Sequence, residues 1–203
     1  MTLQEFFQQH PEAAVAFSGG VDSAWLLHQA VRYARRCTAY FVNTAFQPGF
    51  ELEDAEQTAR QVGAELRVLE LDILSAPEVT ANPSDRCYHC KKRLFTALAR
   101  AAAEDGYHVL LDGTNASDDA ADRPGMRALQ ELQVLSPLRL CGVTKAQVRG
   151  SAKAAGLFVW EKPSYACLAT RIPAGEPIRA EDLRRVERGE AALMDMGFTD
   201  FRL

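Results

Sequence analysis

The sequence predicts an α/β fold: a doubly wound, mainly parallel sheet with helices on both faces. Three observations carry this. Short apolar, β-branched or aromatic runs alternate with amphipathic helical stretches, the pattern of βαβ units. The first run is followed at once by two glycines and a helix start. A chain of 203 residues, 47% hydrophobic, can bury one good core and a small appendage.

The elements follow in order. "AAVAF" (13–17) reads as the first strand and residues 21–35 as a helix; "TAYFVN" (38–43) is a second strand, followed by a helix over 50–62. "LRVLEL" (66–71) is a third strand. A helix from about Cys90 to Ala103 leads into the strand "HVLLDGT" (108–114). "RPGMRALQEL" (123–132) opens another helix, with Pro124 suited to its first turn. Thr144 and Gln147 form a capping-box pattern for a helix ending near Gly156. Residues 163–177 are rich in Pro and Gly and read as a loop, and an amphipathic helix covers 180–196. The end, "GFTDFRL", reads as a strand that starts and stops. The expected organisation is one domain over 1–175 and a linker helix with the start of a further subdomain over 176–203.

Composition narrows the function. With 23 basic against 27 acidic residues, a net of −4, and no run of like charge, a broad nucleic-acid or anionic-membrane surface is not expected. "MTLQEFFQQHPEAA" lacks a basic start before an apolar core, and no stretch approaches the ~20 apolar residues that span a bilayer. A cytoplasmic protein is the expectation. There, five cysteines point to thiols, metal ligands or catalysts rather than structural disulfides.

"SGGVDS", residues Ser18, Gly19, Gly20, Val21, Asp22 and Ser23, follows the first strand directly. Glycines turn the chain tightly, N–H groups at a helix start point at an anion, and the helix dipole favours negative charge. The run is neither a Walker loop nor G-x-G-x-x-G. Farther on, "DRCYHCKK" sets Cys87 and Cys90 three positions apart among Arg86, Lys91 and Lys92. Such a pair suits a redox couple, half of a zinc site with His89 as a further ligand, or part of an iron–sulfur ligand set. Cys167 lies in "EKPSYACLATRIP". Cys37 and Cys141 read as buried thiols.

The loop "SGGVDS" closely resembles the pyrophosphatase loop of the PP-loop ATPases, which adenylate a substrate oxygen and release pyrophosphate. With "NPSDRCYHCK", "DGTNASDDAADRPGMRALQELQVLSPL", "GVTKAQVRGSAKAAGL" and "KPSYACLATRIP", the chain resembles the LarE family from about residue 5 to its last residue. LarE-like proteins are sulfur transferases that help build the nickel-pincer nucleotide. The resemblance implies ATP, Mg²⁺ and a pyridinium-3,5-biscarboxylic acid mononucleotide substrate, whose carboxylate is adenylated and then converted to a thiocarboxylate. It implies a [4Fe-4S] cluster on Cys87, Cys90 and Cys167; in another branch of the family the loop cysteine, here Cys167, is itself consumed as the sulfur donor. It also implies hexamers.

On this resemblance Asp22 contacts Mg²⁺, with stabilisation of its own helix N-terminus as the alternative. Lys91 and Arg171 are candidates for phosphate, or else solvated surface charges. "DGTN" (112–115) follows a strand and belongs at the carboxyl edge of the sheet, with Gly113 and Thr114 near the nucleotide. Asp118, Asp119, Asp122 and Arg123 form a solvated loop, and Glu190 a weak acid–base or metal candidate on a solvated helix face. In the family an Arg-x-Arg run, whose first arginine matches Arg202, leads into a further subdomain that grips the substrate phosphate, and this chain stops at Leu203; the expectation is that nucleotide binding survives and substrate binding is in doubt. A tRNA thiolase and a non-catalytic nucleotide-binding module are the competing functions.

Overall fold

The computed structural model describes residues 1–118, 124–199 and 201. Asp119, Asp122, Arg123, Arg202 and Leu203 lie outside the described residues. The chain runs α1 (Leu3–Gln9), β1 (Glu12–Ala16), α2 (Val21–Tyr33), β2 (Arg36–Asn43), α3 (Gly49–Val62), β3 (Glu65–Glu70), α4 (Pro77–Thr80), α5 (Arg86–Glu104) and β4 (Leu110–Leu111). Then come α6 (Pro124–Glu131), α7 (Pro137–Leu140), α8 (Lys145–Ala154) and α9 (Ala180–Asp195). Among the described residues the strands form one parallel sheet in the order β3-β2-β1-β4. Parallel neighbours joined by right-handed crossovers put successive helices on one face until the direction of winding reverses. The reversal falls between β1 and β4.

Alternation along the central strands divides the core into two layers. Ala13 and Val15 of β1 and Ala39 and Phe41 of β2 point to the face covered by Phe6 and Phe7 of α1 and Leu26 and Leu27 of α2. Ala14, Ala16, Tyr40 and Val42 point the other way, onto Leu98, Ala101 and Ala102 of α5. Small residues on β1 let helices close on both sides of a strand that is itself wholly covered. β3 is the edge, only half covered, and its Arg67 ties back to Asp105 at the end of α5 at 2.6 Å.

Three elements depart from the sequence pattern. β4 is only two residues long because the chain beyond Leu111 bonds elsewhere: Asp112 N–H donates to Leu135 O at 2.9 Å, and Leu135 N–H to Leu110 O at 3.0 Å. Leu135 thus extends the sheet as a single parallel bridge to Leu111. The helix expected from about Cys90 begins a turn earlier, at Arg86, so both cysteines of the pair lie on helix. Residues 196–199 form a turn and irregular chain, not the start of a strand.

A third core cluster sits away from the sheet faces. Phe46, Ile73, Val79, Leu168, Ile178 and Leu183 are buried together, with Cys90 and Cys167 packed against them. No described helix is long and apolar enough to cross a membrane.

Candidate active site at the carboxyl edge of the sheet

The turn after β1 is built by its two serines. Ser23 Oγ donates to Gly20 O at 3.0 Å and accepts from Ser18 N–H at 3.3 Å, while the two hydroxyls lie 3.1 Å apart. Gly19 has φ +75, and a Cβ there would stand 3.1 Å from the carbonyl oxygen of Glu51 on α3. A side chain would be both strained and crowded. Val21 and Ser23 are buried, whereas Ser18 and Gly20 face solvent. The loop therefore offers its backbone outward at the N-terminus of α2, where N–H groups have no intrahelical partner.

The chain leaving β4 lies against that loop. A Cβ on Gly113 would sit 2.8 Å from Ser23 N and 3.2 Å from the carbonyl carbon of Asp22. Next to it, Asp112 is buried and accepts from the hydroxyls of Thr114 and of Ser136, the latter at 2.5 Å. Thr114 is thus held by its own strand end. Asn115, also buried, donates to Asp22 Oδ1 at 3.2 Å, and its backbone N–H bonds to Asp118 at 2.9 Å, so Asp118 braces this turn. The other oxygen of Asp22 meets Lys145 Nζ at 2.5 Å. Lys145 opens α8, whose Thr144–Gln147 capping box forms as its sequence pattern indicates. No motif marked Lys145 as part of the site; only the fold shows that the start of α8 returns to the loop after β1.

The thiols form the second half. In a parallel α/β unit each helix starts at the carboxyl edge of the sheet, so Cys87 and Cys90, at the head of α5, stand at the same edge as the Ser18–Ser23 loop. Cys167 reaches it from the other side, because the residue after it, Leu168, donates its N–H to Phe46 O in the loop after β2 at 2.8 Å. Cys90 and Cys167 are half-buried and Cys87 is exposed. Burial, with the neighbouring Cys167 and Cys87, pushes the Cys90 thiol up to about 12. Burial likewise raises Cys167, against the opposing pull of Arg86. Three thiols that feel one another beside a buried guanidinium are a donor set suited to a centre carrying positive charge. Among the described residues no three His, Cys, Asp or Glu side chains converge as a cage for a single ion.

Arg86 is 9% exposed and donates to Asn82 Oδ1 at 2.6 Å and to Ala169 O at 2.8 Å, tying the head of α5 to the Cys167 loop. His89 turns away to Asp85, with Nε2 3.3 Å from its carboxylate. Lys91 lies along α6: a Cβ on Gly125 would come within 2.7 Å of Lys91 Cδ. Cys37 and Cys141 are half-buried, outside this group, and burial raises both thiols.

Two expectations from sequence are corrected by burial. Arg171 is not a solvated charge with a guanidinium open to phosphate; its side chain is 1% exposed and donates to Glu190 through Nε at 2.7 Å and Nη2 at 2.8 Å. Glu190, expected on a solvated helix face, is buried to the same degree, and it also accepts from the Tyr165 hydroxyl. Pairing is what makes that burial tolerable for both charges. The partners are distant in sequence, so no local pattern announces them.

Fold and site together define a doubly wound α/β protein whose candidate site lies outside the carboxyl ends of β1 and β4, at the point where the winding reverses, the place where open α/β sheets generally bind ligands. No family model matches the chain. It is 30% identical over 204 residues to the pyridinium-3,5-bisthiocarboxylic acid mononucleotide synthase of Lactiplantibacillus plantarum, an alignment covering 100% of this chain and 74% of that protein. It is 37% identical over 204 residues to an uncharacterized protein of Synechocystis sp., slr1717, covering 99% of this chain and 75% of the relative. A third relative, the uncharacterized protein MJ0830 of Methanocaldococcus jannaschii, is 31% identical over 191 residues, 94% of this chain and 72% of its own length. The chain belongs to the LarE family.

Proposed function

We propose that the protein is an ATP-dependent sulfur transferase that converts a carboxylate of pyridinium-3,5-biscarboxylic acid mononucleotide to a thiocarboxylate. The observation that supports this best is the gathering of Cys87, Cys90 and Cys167 at the sheet edge that also carries the Ser18–Ser23 loop. A carboxylate is a poor acceptor for a sulfur nucleophile until its oxygen becomes a leaving group. ATP supplies that group: the carboxylate oxygen attacks the α-phosphorus, the bond to the β-phosphate oxygen breaks, and pyrophosphate leaves. Sulfur then adds at the carboxyl carbon, and AMP departs with the original oxygen.

The residues divide the work. Backbone N–H groups of Gly19 to Ser23 receive the phosphates. Asp22 would hold Mg²⁺, whose charge neutralises the leaving pyrophosphate; in the free protein Lys145 fills the role of counter-ion to that carboxylate. Lys145 and Lys91 supply further positive charge to the departing phosphates. Cys87, Cys90 and Cys167 would hold a [4Fe-4S] cluster, which when bound supplies sulfide as the donor. Arg86 offsets thiolate charge from within the protein. Assembly as a hexamer and a cytoplasmic location complete the reading.

The test is pyrophosphate release by anaerobically purified protein given ATP and Mg²⁺, with and without the pyridinium mononucleotide. Release that needs the mononucleotide supports adenylation of its carboxylate. ATP binding without any release supports a nucleotide-binding module instead, and release driven by tRNA supports a tRNA thiolase. Loss of sulfur from Cys167 after one turnover, seen as dehydroalanine by mass spectrometry, would mark the cysteine as the donor.

A further inference from the structure

The Arg171–Glu190 pair does more than close a hole. A guanidinium gripping a carboxylate through Nε and Nη2 leaves its third nitrogen pointing elsewhere. Here Nη1 donates to Ala166 O at 2.7 Å, to Cys167 O at 3.2 Å and to Thr170 Oγ1 at 2.9 Å. The Cys167 carbonyl also accepts from Thr170 N–H and from its hydroxyl, each at 2.9 Å. The peptide units on both sides of the Cys167 Cα are therefore fixed, and they set the direction of its side chain. One turn before Glu190, the carboxylate of Glu187 accepts from Gly49 N–H at 2.8 Å, which seats α9 on the head of α3. A buried ion pair gains little over apolar residues of the same volume, so stability alone gives a poor reason for this one.

We propose that Glu190 is a positioning residue for Cys167. It orients Arg171, and Arg171 holds the carbonyls of Ala166 and Cys167 so that the thiol faces Cys90 and Cys87. The consequence for sulfur transfer rests on the function proposed above, whereas the consequence for the loop does not.

The experiment replaces the whole polar cluster by apolar groups, Tyr165→Phe, Arg171→Met and Glu190→Leu together. Single Glu190→Gln strands a buried guanidinium and lowers Tm; the triple variant recovers Tm. Positioning predicts that the recovered protein still releases pyrophosphate. Its amides at 168–172 exchange hydrogen roughly tenfold faster, and thiocarboxylate formation falls about tenfold to hundredfold, as expected when a reacting group is misplaced. Wild-type exchange and wild-type product in the triple variant would overturn the proposal. Should the triple variant fail to fold, Arg171→Lys serves: a lysine keeps the charge but cannot grip the carboxylate and both carbonyls, so the same loss of amide protection is expected. A wild-type protein that forms no thiocarboxylate would refute the proposed function, and amide exchange would still decide the clamp.

Discussion

Two backbones approach each other closely in the candidate site at Gly113, and Gly113→Ala tests it. The added methyl would meet Ser23 N at 2.8 Å, Ser23 Cα at 3.1 Å and the Asp22 carbonyl carbon at 3.2 Å. Non-bonded carbon contacts settle at ~3.5–4.0 Å, so the segment after β4 and the first turn of α2 must separate by several tenths of an ångström. Neither side yields cheaply, since the loop is locked by Ser18 and Ser23 and the Gly113 segment by Asp112 and Asn115. Overpacking of this kind costs about 1–3 kcal/mol. At about 2–4 °C per kcal/mol for a chain of this size, Tm should fall by roughly 2–12 °C in calorimetry. Separating the two walls of the crevice should also lower nucleotide-dependent pyrophosphate release, by about tenfold or more. Gly150→Ala is the matched control: within α8 a Cβ there meets nothing within 4 Å. It should stabilise by about 0.5–1 kcal/mol through helix propensity. Gly113→Ala with unchanged Tm and unchanged activity would refute the close approach.

Asp22→Ala should abolish ATP-dependent pyrophosphate release with circular dichroism unchanged. Lys145→Met should weaken nucleotide binding in titration calorimetry while leaving Tm nearly unaltered, because the pair it breaks is partly exposed and contributes only about 0–1 kcal/mol. Glu51 on α3 is raised to about 7 by burial first and by Asp54 second, against Lys162. A carboxyl raised in the folded state favours folding at low pH, and that contribution is lost as pH climbs from the ordinary carboxylate range through about 7. Glu51→Gln should therefore raise Tm near pH 8 and change little near pH 4; an equal shift at both would contradict the assignment. Serine at Cys87, Cys90 or Cys167 should abolish iron retention after anaerobic reconstitution, whereas Cys37→Ser should retain it.

What the sequence made legible was what local pattern encodes. The unbroken apolar runs "AAVAF" and "TAYFVN" mark strands covered on both sides, and β1 and β2 form there. Thr144 and Gln147 announce the start of α8 through a reciprocal pair of hydrogen bonds three residues apart. Thr2 and Glu5 make the same capping box at α1, and the same three-residue spacing in "TLQE" encodes the start of that short helix. The length of β4 was not readable, because Leu135, a distant residue, completes its edge. Nor was the lock on the Cys167 loop. Asn82, Arg86, Arg171 and Glu190 are polar types that usually face water, and only the tertiary fold shows that each is buried against a partner far along the chain. Lys145 escaped for the same reason.

The most direct test of the account follows sulfur and phosphate in one reaction. Anaerobically reconstituted protein is incubated with ATP, Mg²⁺ and pyridinium-3,5-biscarboxylic acid mononucleotide, and the products are resolved by mass spectrometry. The proposed function predicts equal amounts of AMP, pyrophosphate and a mononucleotide in which one carboxylate oxygen is replaced by sulfur; Asp22→Ala protein loses all three, whereas Cys167→Ser protein still releases pyrophosphate but forms no thiocarboxylate. Thiocarboxylate formed without ATP, or at the wild-type rate in Cys167→Ser protein, would contradict it.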